Sequence, residues 1–260
     1  SEMCIRDRNN PQFIASIARG LEILRCFSAT NQLLGNQEIA QLTNLPKPTV
    51  ARITSTLVSL GYLKQLPNTT KYLLDVGVLA LGYAALSNIS ARTQAYPFME
   101  EMSRYSQAPV AMATRDRLSM IYLEVVHTES TLTMRRPVGS TLPIHSSAMG
   151  RACLAAMDVK EREYLFDAIK KRNEDQWPTI KRNLERAIRD YQDYGYCLSL
   201  GDWAKDVNSV AVPLVHPKHG ILTFNCGAPS YLLNQEKLEN EIGPRLIHMV
   251  NNIAMNLNNI

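Results

Sequence analysis

Thr49, Arg52, Ser55, Thr56 and Ser59 recur at spacings of three and four, which places them on one face of a helix. Short hydroxyl side chains around a single guanidinium can read the donors and acceptors that base edges present in a major groove. Lys47 stands just ahead of them, and Lys64 and Lys71 follow, where ammonium groups can pair with phosphates. A second group can hold an anion. Ser146 and Ser147 precede a helical run marked by Met149, Cys153 and Ala156, so the amides of Ser147, Ala148 and their neighbours form a helix N-terminus. Amides in that position have no partner within the helix, and their dipoles favour a negative group.

Two short helices and a hairpin must position the first group. Asn36 is a good N-cap for a helix in which Ile39 and Leu42 share a face. Pro46 cannot continue that helix, and it biases Leu45 toward extended geometry. Lys47-Pro48 starts the next one, with Val50, Ile53, Leu57 and Leu60 as its apolar side, and Gly61 ends it. Residues 62–66 and 71–74 then read as strands around the turn 67–70, with one lysine on each arm. Helix, turn, helix and basic-armed hairpin make a winged DNA-binding domain over residues 12–74, whose second helix reads the groove while the wing touches the backbone. The alternative on these residues is a three-helix protein-interaction module.

The remaining elements follow from periodicity. Residues 1–11 are polar and aperiodic, an extension given no function. Ile17, Leu21, Leu24 and Phe27 mark a supporting helix, with Arg19 and Arg25 off its stripe. Asp75 caps an apolar helix over 76–86 that contains Gly77 and Gly82. It reads as a linker helix spanning residues 75–90, either a dimer contact or a core helix. Residues 91–260 form a second domain. A helix over 91–106 leads to strands at 108–115 and 118–126, a short strand at 132–137 and the helix after Ser147. Helices at 160–171 and 180–194 and strands at 196–200, 207–216 and 220–226 come next. The closing helix, 235–257, has the stripe Leu238, Ile242, Leu246, Met249, Ile253 and Leu257. The fold class is therefore α+β, an antiparallel sheet with helices on its face following the winged domain.

Composition fits this division. At 260 residues and 45% hydrophobic, the chain can bury two cores. Residues 1–90 hold 8 Lys and Arg against 5 Asp and Glu, whereas the rest hold 20 against 19, so most of the basic excess lies with the DNA-facing third. No apolar run is long enough for a membrane helix and no signal peptide is recognisable, so a cytoplasmic protein without membrane partners is expected. Five scattered cysteines lack the paired spacing of zinc sites and read as reduced thiols. His216 and His219 are three apart, but Pro217 makes a solvated turn the better reading than a metal site. There is no Gly-x-Ser-x-Gly elbow, His-Glu-x-x-His or phosphate-cradling loop, so no catalytic residue, metal or cofactor is expected.

Ala18-Arg19-Gly20-Leu21-Glu22-Ile23-Leu24, Leu45-Pro46-Lys47-Pro48-Thr49-Val50-Ala51-Arg52 and Lys71-Tyr72-Leu73-Leu74-Asp75-Val76-Gly77 are family-like segments, as are the run from Val138 to Ala152 and the residues 220–229. On these the chain resembles the IclR-type bacterial transcriptional regulators over residues 13–257, and the stretch from Leu142 to Gly150 is the specific part. The resemblance implies a winged helix-turn-helix, a linker helix and a C-terminal effector domain similar to GAF and PAS sheets. It also implies dimers, or dimers of dimers, on palindromic double-stranded operators. The reading that follows is a regulator, most simply a repressor, controlled by a small organic carboxylate. The rivals are a C-terminal domain that only oligomerises and, less favoured, a hydrolase.

Matching the family motif places Thr131, Met134, Leu142, Ser199, Val207, Ser209, Asn225 and Gly227 around the space beside Ser147 and Ala148. Asn225 and Gly227 stand where many members carry serines, Ala228 replaces a glycine, and Asn208 stands where a glycine is common. Asn225 narrows the pocket and adds a donor and an acceptor, which points to a small hydroxy-, keto- or sugar-derived acid over a large apolar aromatic one.

Overall fold

The computed structural model describes residues 12–28, 31–127 and 136–258, which fall into two compact units, Ser1–Asn88 and Ile89–Ile260. Thr131, Met134, the extension at residues 1–11 and most of the strand expected at 132–137 lie outside the described residues.

The first unit comprises α1 (Ala15–Arg25), β1 (Leu34–Gly35), α2 (Asn36–Thr43), α3 (Lys47–Ser59), β2 (Leu63–Gln65), β3 (Lys71–Leu74) and α4 (Val76–Ser87). Its core joins Ile23, Phe27, Ile39, Val50, Leu57, Leu63 and Tyr72. Each fully buried side chain of this size contributes about 1.5–3 kcal/mol. Asn44, in the left-handed region at the end of α2, and Pro46 turn the chain sharply into α3. The hairpin is wider than expected, because β1 pairs with β3 and makes a three-stranded sheet in the order β1, β3, β2.

Three local expectations are corrected. The N-cap of α2 is Gly35, and Asn36 is the first helical residue; the Glu38 carboxylate accepts the Gly35 amide at 2.6 Å. Leu42 and Leu60 are exposed, so the inner face of α3 is Val50, Thr54 and Leu57. On α1 the buried positions are Ile23 and, just beyond the helix, Phe27, whereas Ile17 and Leu21 are 57% and 55% exposed. The helix is apolar on two faces, and only one of them finds a partner within this unit. Asp75 caps α4 as expected, accepting the Val76 amide at 2.8 Å, yet no residue of α4 is buried.

The second unit comprises α5 (Ser90–Ser106), β4 (Val110–Asp116), β5 (Ser119–Val126), β6 (Thr141–Pro143), α6 (Ala148–Ala156), α7 (Val159–Arg172), α8 (Trp177–Tyr194), β7 (Cys197–Leu200), β8 (Val207–His216) and β9 (Gly220–Pro229). The chain closes with α9 (Gln235–Lys237), a π-helical turn (Leu238–Ile242) and α10 (Gly243–Asn258). Six strands form one antiparallel sheet in the order β6, β5, β4, β9, β8, β7. Helices α6, α7 and α8 cover one face, and α5 and α10 pack on the sheet elsewhere.

Small residues decide how near α6 comes. Ala111, Ala113 and Ala211 on the sheet share a core with Ala148 and Ala152 on the helix. A Cβ on Gly150 would lie 2.0 Å from the Ile144 carbonyl oxygen, so only glycine allows that approach. All six stripe residues of the closing helix are buried. Its π turn has a cause: Pro244 has no amide to give, the Gly243 amide reaches back five residues to Leu238, and the Tyr196 hydroxyl donates to the Glu239 carbonyl at 3.2 Å.

Candidate functional site

Helix α3 presents Lys47, Arg52, Ser55, Thr56 and Ser59 exposed and Thr49 half-buried. The Thr56 hydroxyl donates to the Arg52 carbonyl at 3.0 Å and the Ser59 hydroxyl to the Ser55 carbonyl at 3.1 Å, which leaves both oxygens free to accept from a ligand. Thr54, one position from Ser55, is buried instead. Its hydroxyl donates to the Asn36 side chain at 3.0 Å and locks α3 onto α2. Lys64 is exposed on β2. Lys71 differs from the free phosphate lysine expected: its ammonium lies 2.5 Å from the Glu38 carboxylate. The hydrogen bond from Lys71, and next the one from the Gly35 amide, hold the Glu38 carboxyl below its usual range.

The second unit has a cavity beside the N-terminus of α6. Leu142, Ser147, Ala148, Val207, Ser209, Asn225 and Gly227 all line it, together with Pro109, Ala111, Tyr122, Val125, His127, Arg136 and Trp203. The volume is small, about 50 Å³. Gly227 keeps it open on the sheet side, since a Cβ there would lie 2.9 Å from that of Ser209.

Not every amide of the helix start is free. The Ser147 amide donates to the Pro143 carbonyl at 3.3 Å, and the Ser147 hydroxyl caps the Gly150 amide at 3.1 Å. The amides of Ala148 and Met149 have no partner among the described residues, so the anion-binding end of α6 narrows to these two. Ser199 is the other correction. It is buried, but its hydroxyl donates to the Ser146 carbonyl at 2.8 Å, so it braces the loop ahead of α6 and does not line the cavity.

Two buried polar groups do line it without a hydrogen-bond partner among the described residues: the Tyr122 hydroxyl and the Asn225 amide, each residue 8% exposed. Burial pushes the Tyr122 hydroxyl up to about 12, against the opposing charge of Arg136, so it stays a proton donor. Neither Tyr122, Arg136 nor Trp203 was singled out from the sequence. Tyr122 carried a signal, because it alternates with Met120 on a strand face. Trp203 lies outside the expected elements, and Arg136, within the strand expected at 132–137, lies outside helices and strands in the structure.

Arg151 organises the neighbouring loop. Its guanidinium, 4% exposed, donates to Asp202 and to the Leu198 carbonyl, both at 2.8 Å, and so pins the segment that carries Trp203. His145 is kept below the ordinary imidazole value, chiefly by burial and then by the charge of Arg151. The thiols are free. Burial pushes Cys153 up to about 12 and Cys226 to about 11, so both are inert packing residues. Among the described residues, no helix is long and apolar enough to cross a membrane.

Known proteins share both units. Residues 16–67 match the IclR helix-turn-helix domain and residues 83–255 the bacterial transcriptional regulator IclR C-terminal domain. The HTH-type transcriptional regulator TsaQ1/TsaQ2 of Comamonas testosteroni is 38% identical over 243 residues, covering 92% of this chain and 87% of that one. The crystal structure of an IclR family transcriptional regulator from Brucella abortus is 57% identical, with a TM-score of 0.92 over 96% of this chain and 95% of that one. An IclR homologue from Microbacterium hydrocarbonoxydans, solved in complex with 4-hydroxybenzoate, is 20% identical with a TM-score of 0.66 over 93% of this chain and 99% of that one, a likeness of fold. A helix-turn-helix unit with an exposed polar α3, followed by a sheet domain of this topology, thus identifies the chain as a member of the IclR family of DNA-binding transcriptional regulators.

Proposed function

We propose that the protein is a repressor whose hold on a palindromic operator is modulated by a small organic carboxylate bound in the C-terminal unit. One observation carries the effector: the free helix-terminal amide of Ala148 and two buried polar side chains, Tyr122 and Asn225, belong to the lining of one cavity. A packed oligomerisation module has no use for such a space, since buried polar groups are as a rule hydrogen-bonded. A carboxylate satisfies the amide and the Tyr122 hydroxyl together. The fold is compatible with such a ligand, as the 4-hydroxybenzoate complex of the Microbacterium protein illustrates.

Lys47, Thr49, Arg52, Ser55 and Thr56 are assigned to the operator, with Lys64 on phosphate and Lys71 held in reserve by Glu38. Repression needs nothing more than occupancy of the operator. Self-association is assigned to α1 and α4. Ile14, Ile17, Leu21, Val76, Leu79 and Tyr83 are each more than half exposed, and an apolar surface of this extent on one unit marks an interaction site. Two copies joined there, as a dimer or as half of a dimer of dimers, supply the two-fold symmetry that a palindrome requires.

The test is selection of duplexes from a random pool by the purified protein, followed by transcription from a promoter carrying the selected site. The expected result is an enriched palindrome, transcription lowered by the protein, and a change in that repression with one member of an organic acid panel. An enriched site without dyad symmetry, or repression that no acid alters, contradicts the proposal.

A further inference from the structure

We propose that Arg136, held on the face of Trp203, is the charged ligand for the effector's acid group and sets the cavity's preference for planar aromatic acids. This rests on the effector reading above and assigns within it the residues that choose the ligand. The Arg136 guanidinium lies 4.5 Å from the centroid of the Trp203 ring and donates to the Thr141 carbonyl at 3.4 Å. No carboxylate pairs with it among the described residues, and no Asp or Glu lines the cavity. Arg136 and Tyr122 line the same cavity, and the Arg136 charge acts on the Tyr122 hydroxyl.

The lining thus carries a full positive charge, a neutral hydroxyl donor and the start of α6. A carboxylate there gains charge-assisted hydrogen bonds that a neutral amide of the same shape cannot make. Much of the remaining wall is aromatic or aliphatic. Trp203 and Tyr122 contribute aromatic rings, and Leu142, Val125 and Ala111 contribute aliphatic groups. A planar ring fits such walls, whereas a polyhydroxy acid would leave most of its hydroxyls facing them, with the Asn225 amide, the Ser209 hydroxyl and the His127 imidazole to answer. The aromatic walls thus reverse the preference drawn from Asn225 alone. Trp203 is a positioning residue, since it orients Arg136 and is itself fixed by the Arg151–Asp202 pair behind it.

The experiment titrates full-length protein with 4-hydroxybenzoate, benzoate, 4-hydroxybenzamide, pyruvate and gluconate, following heat release and the thermal midpoint. Wild type is compared with Arg136→Gln, Arg136→Lys and Trp203→Leu. Loss of the guanidinium should weaken the aromatic acids about tenfold or more and leave the uncharged amide unchanged. Arg136→Lys should recover part of the loss, because it keeps the charge and gives up the planar fork. Trp203→Leu should weaken the acids severalfold with a similar midpoint in the absence of ligand. Arg136 is half-buried and joins no ion pair among the described residues, so its removal should leave the fold intact. If aromatic acids bind wild type and Arg136→Gln equally, Arg136 has no such role and the effector site stands without it. Tighter binding of pyruvate or gluconate overturns the aromatic preference. If no acid in the panel binds wild type, the effector reading falls and takes this one with it.

Discussion

The Lys71 ammonium lies 2.5 Å from the Glu38 carboxylate, and the same carboxylate accepts the Gly35 amide at 2.6 Å. One acidic side chain on α2 therefore holds both β1 and β3 of the wing sheet. Because the folded Glu38 carboxyl is depressed below 4.5, the pair is intact at neutral pH and is lost only as pH falls through that lower folded value. Lys71 thus approaches DNA with its charge already engaged. Lys64→Ala should lower the slope of log affinity against log salt by about one unit, Lys71→Ala by clearly less, and Glu38→Gln should raise it. Fluorescence anisotropy with a selected duplex at several salt concentrations measures all three. Equal losses for the two lysines would show that Glu38 does not restrain Lys71.

Thr54 and Arg52 sit two residues apart on α3 and should separate stability from recognition. Thr54→Val removes the hydroxyl bonded to Asn36 and to the Ala51 carbonyl, at 3.0 and 3.1 Å, while keeping its volume. The expected cost is about 1 kcal/mol, more if the Asn36 oxygen is left unpaired, with little effect on operator sequence. Arg52→Ala should leave the unfolding midpoint in place, cost about 1–3 kcal/mol in operator affinity and relax the preferred sequence. Chemical unfolding alongside binding checks both. A specificity change in Thr54→Val would mean that α3 has been placed on the wrong face.

The recognition helix was legible because Pro46 and Gly61 bracket it and its two faces differ in chemistry. The hairpin pairs β4–β5 and β8–β9 follow from their turns, whereas the β4–β9 pairing at the centre joins distant strands and has no such signal; α6 announces itself by Ser147. Helix α1 was misread for a physical reason: with apolar residues on two faces, periodicity cannot say which face meets the rest of the unit, and Ile23 was passed over for Ile17 and Leu21. Ser199 was misplaced because a buried serine on a pocket-side strand looks the same whether it faces a ligand or a neighbouring carbonyl. Arg136 and Trp203 come together from positions 67 residues apart, and no local pattern links the two segments. Only the folded sheet juxtaposes them.

His145 should make stability fall at mildly acid pH. Burial, helped by the Arg151 charge, holds its folded value below the ordinary 6.5. The unfolded chain therefore takes up a proton first, and the stability contributed by the neutral ring is present above 6.5 and is lost as pH falls toward and through the folded value. Thermal midpoints measured between neutrality and pH 5 should decline more steeply for wild type than for His145→Gln. Parallel curves would assign the decline to other groups.

Ala148→Pro tests the helix terminus itself. Ala148 is the first residue of α6, where proline is favoured, and Ser147 before it already has the extended geometry a following proline requires, at φ −80° and ψ 147°. Its amide has no partner among the described residues, so the substitution removes no bond from the fold. The free donor that α6 brings to the cavity lining is lost. A hydrogen bond to a charged group contributes about 1.5–3 kcal/mol, so an acid that binds there should lose roughly ten- to a hundredfold in affinity while the ligand-free midpoint stays level or rises. Val138→Pro, on the exposed turn before β6, serves as the control. Calorimetric titration with whichever acid binds wild type gives the comparison. Unchanged affinity in a folded Ala148→Pro variant would mean that the acid group lies elsewhere in the cavity, beyond reach of α6.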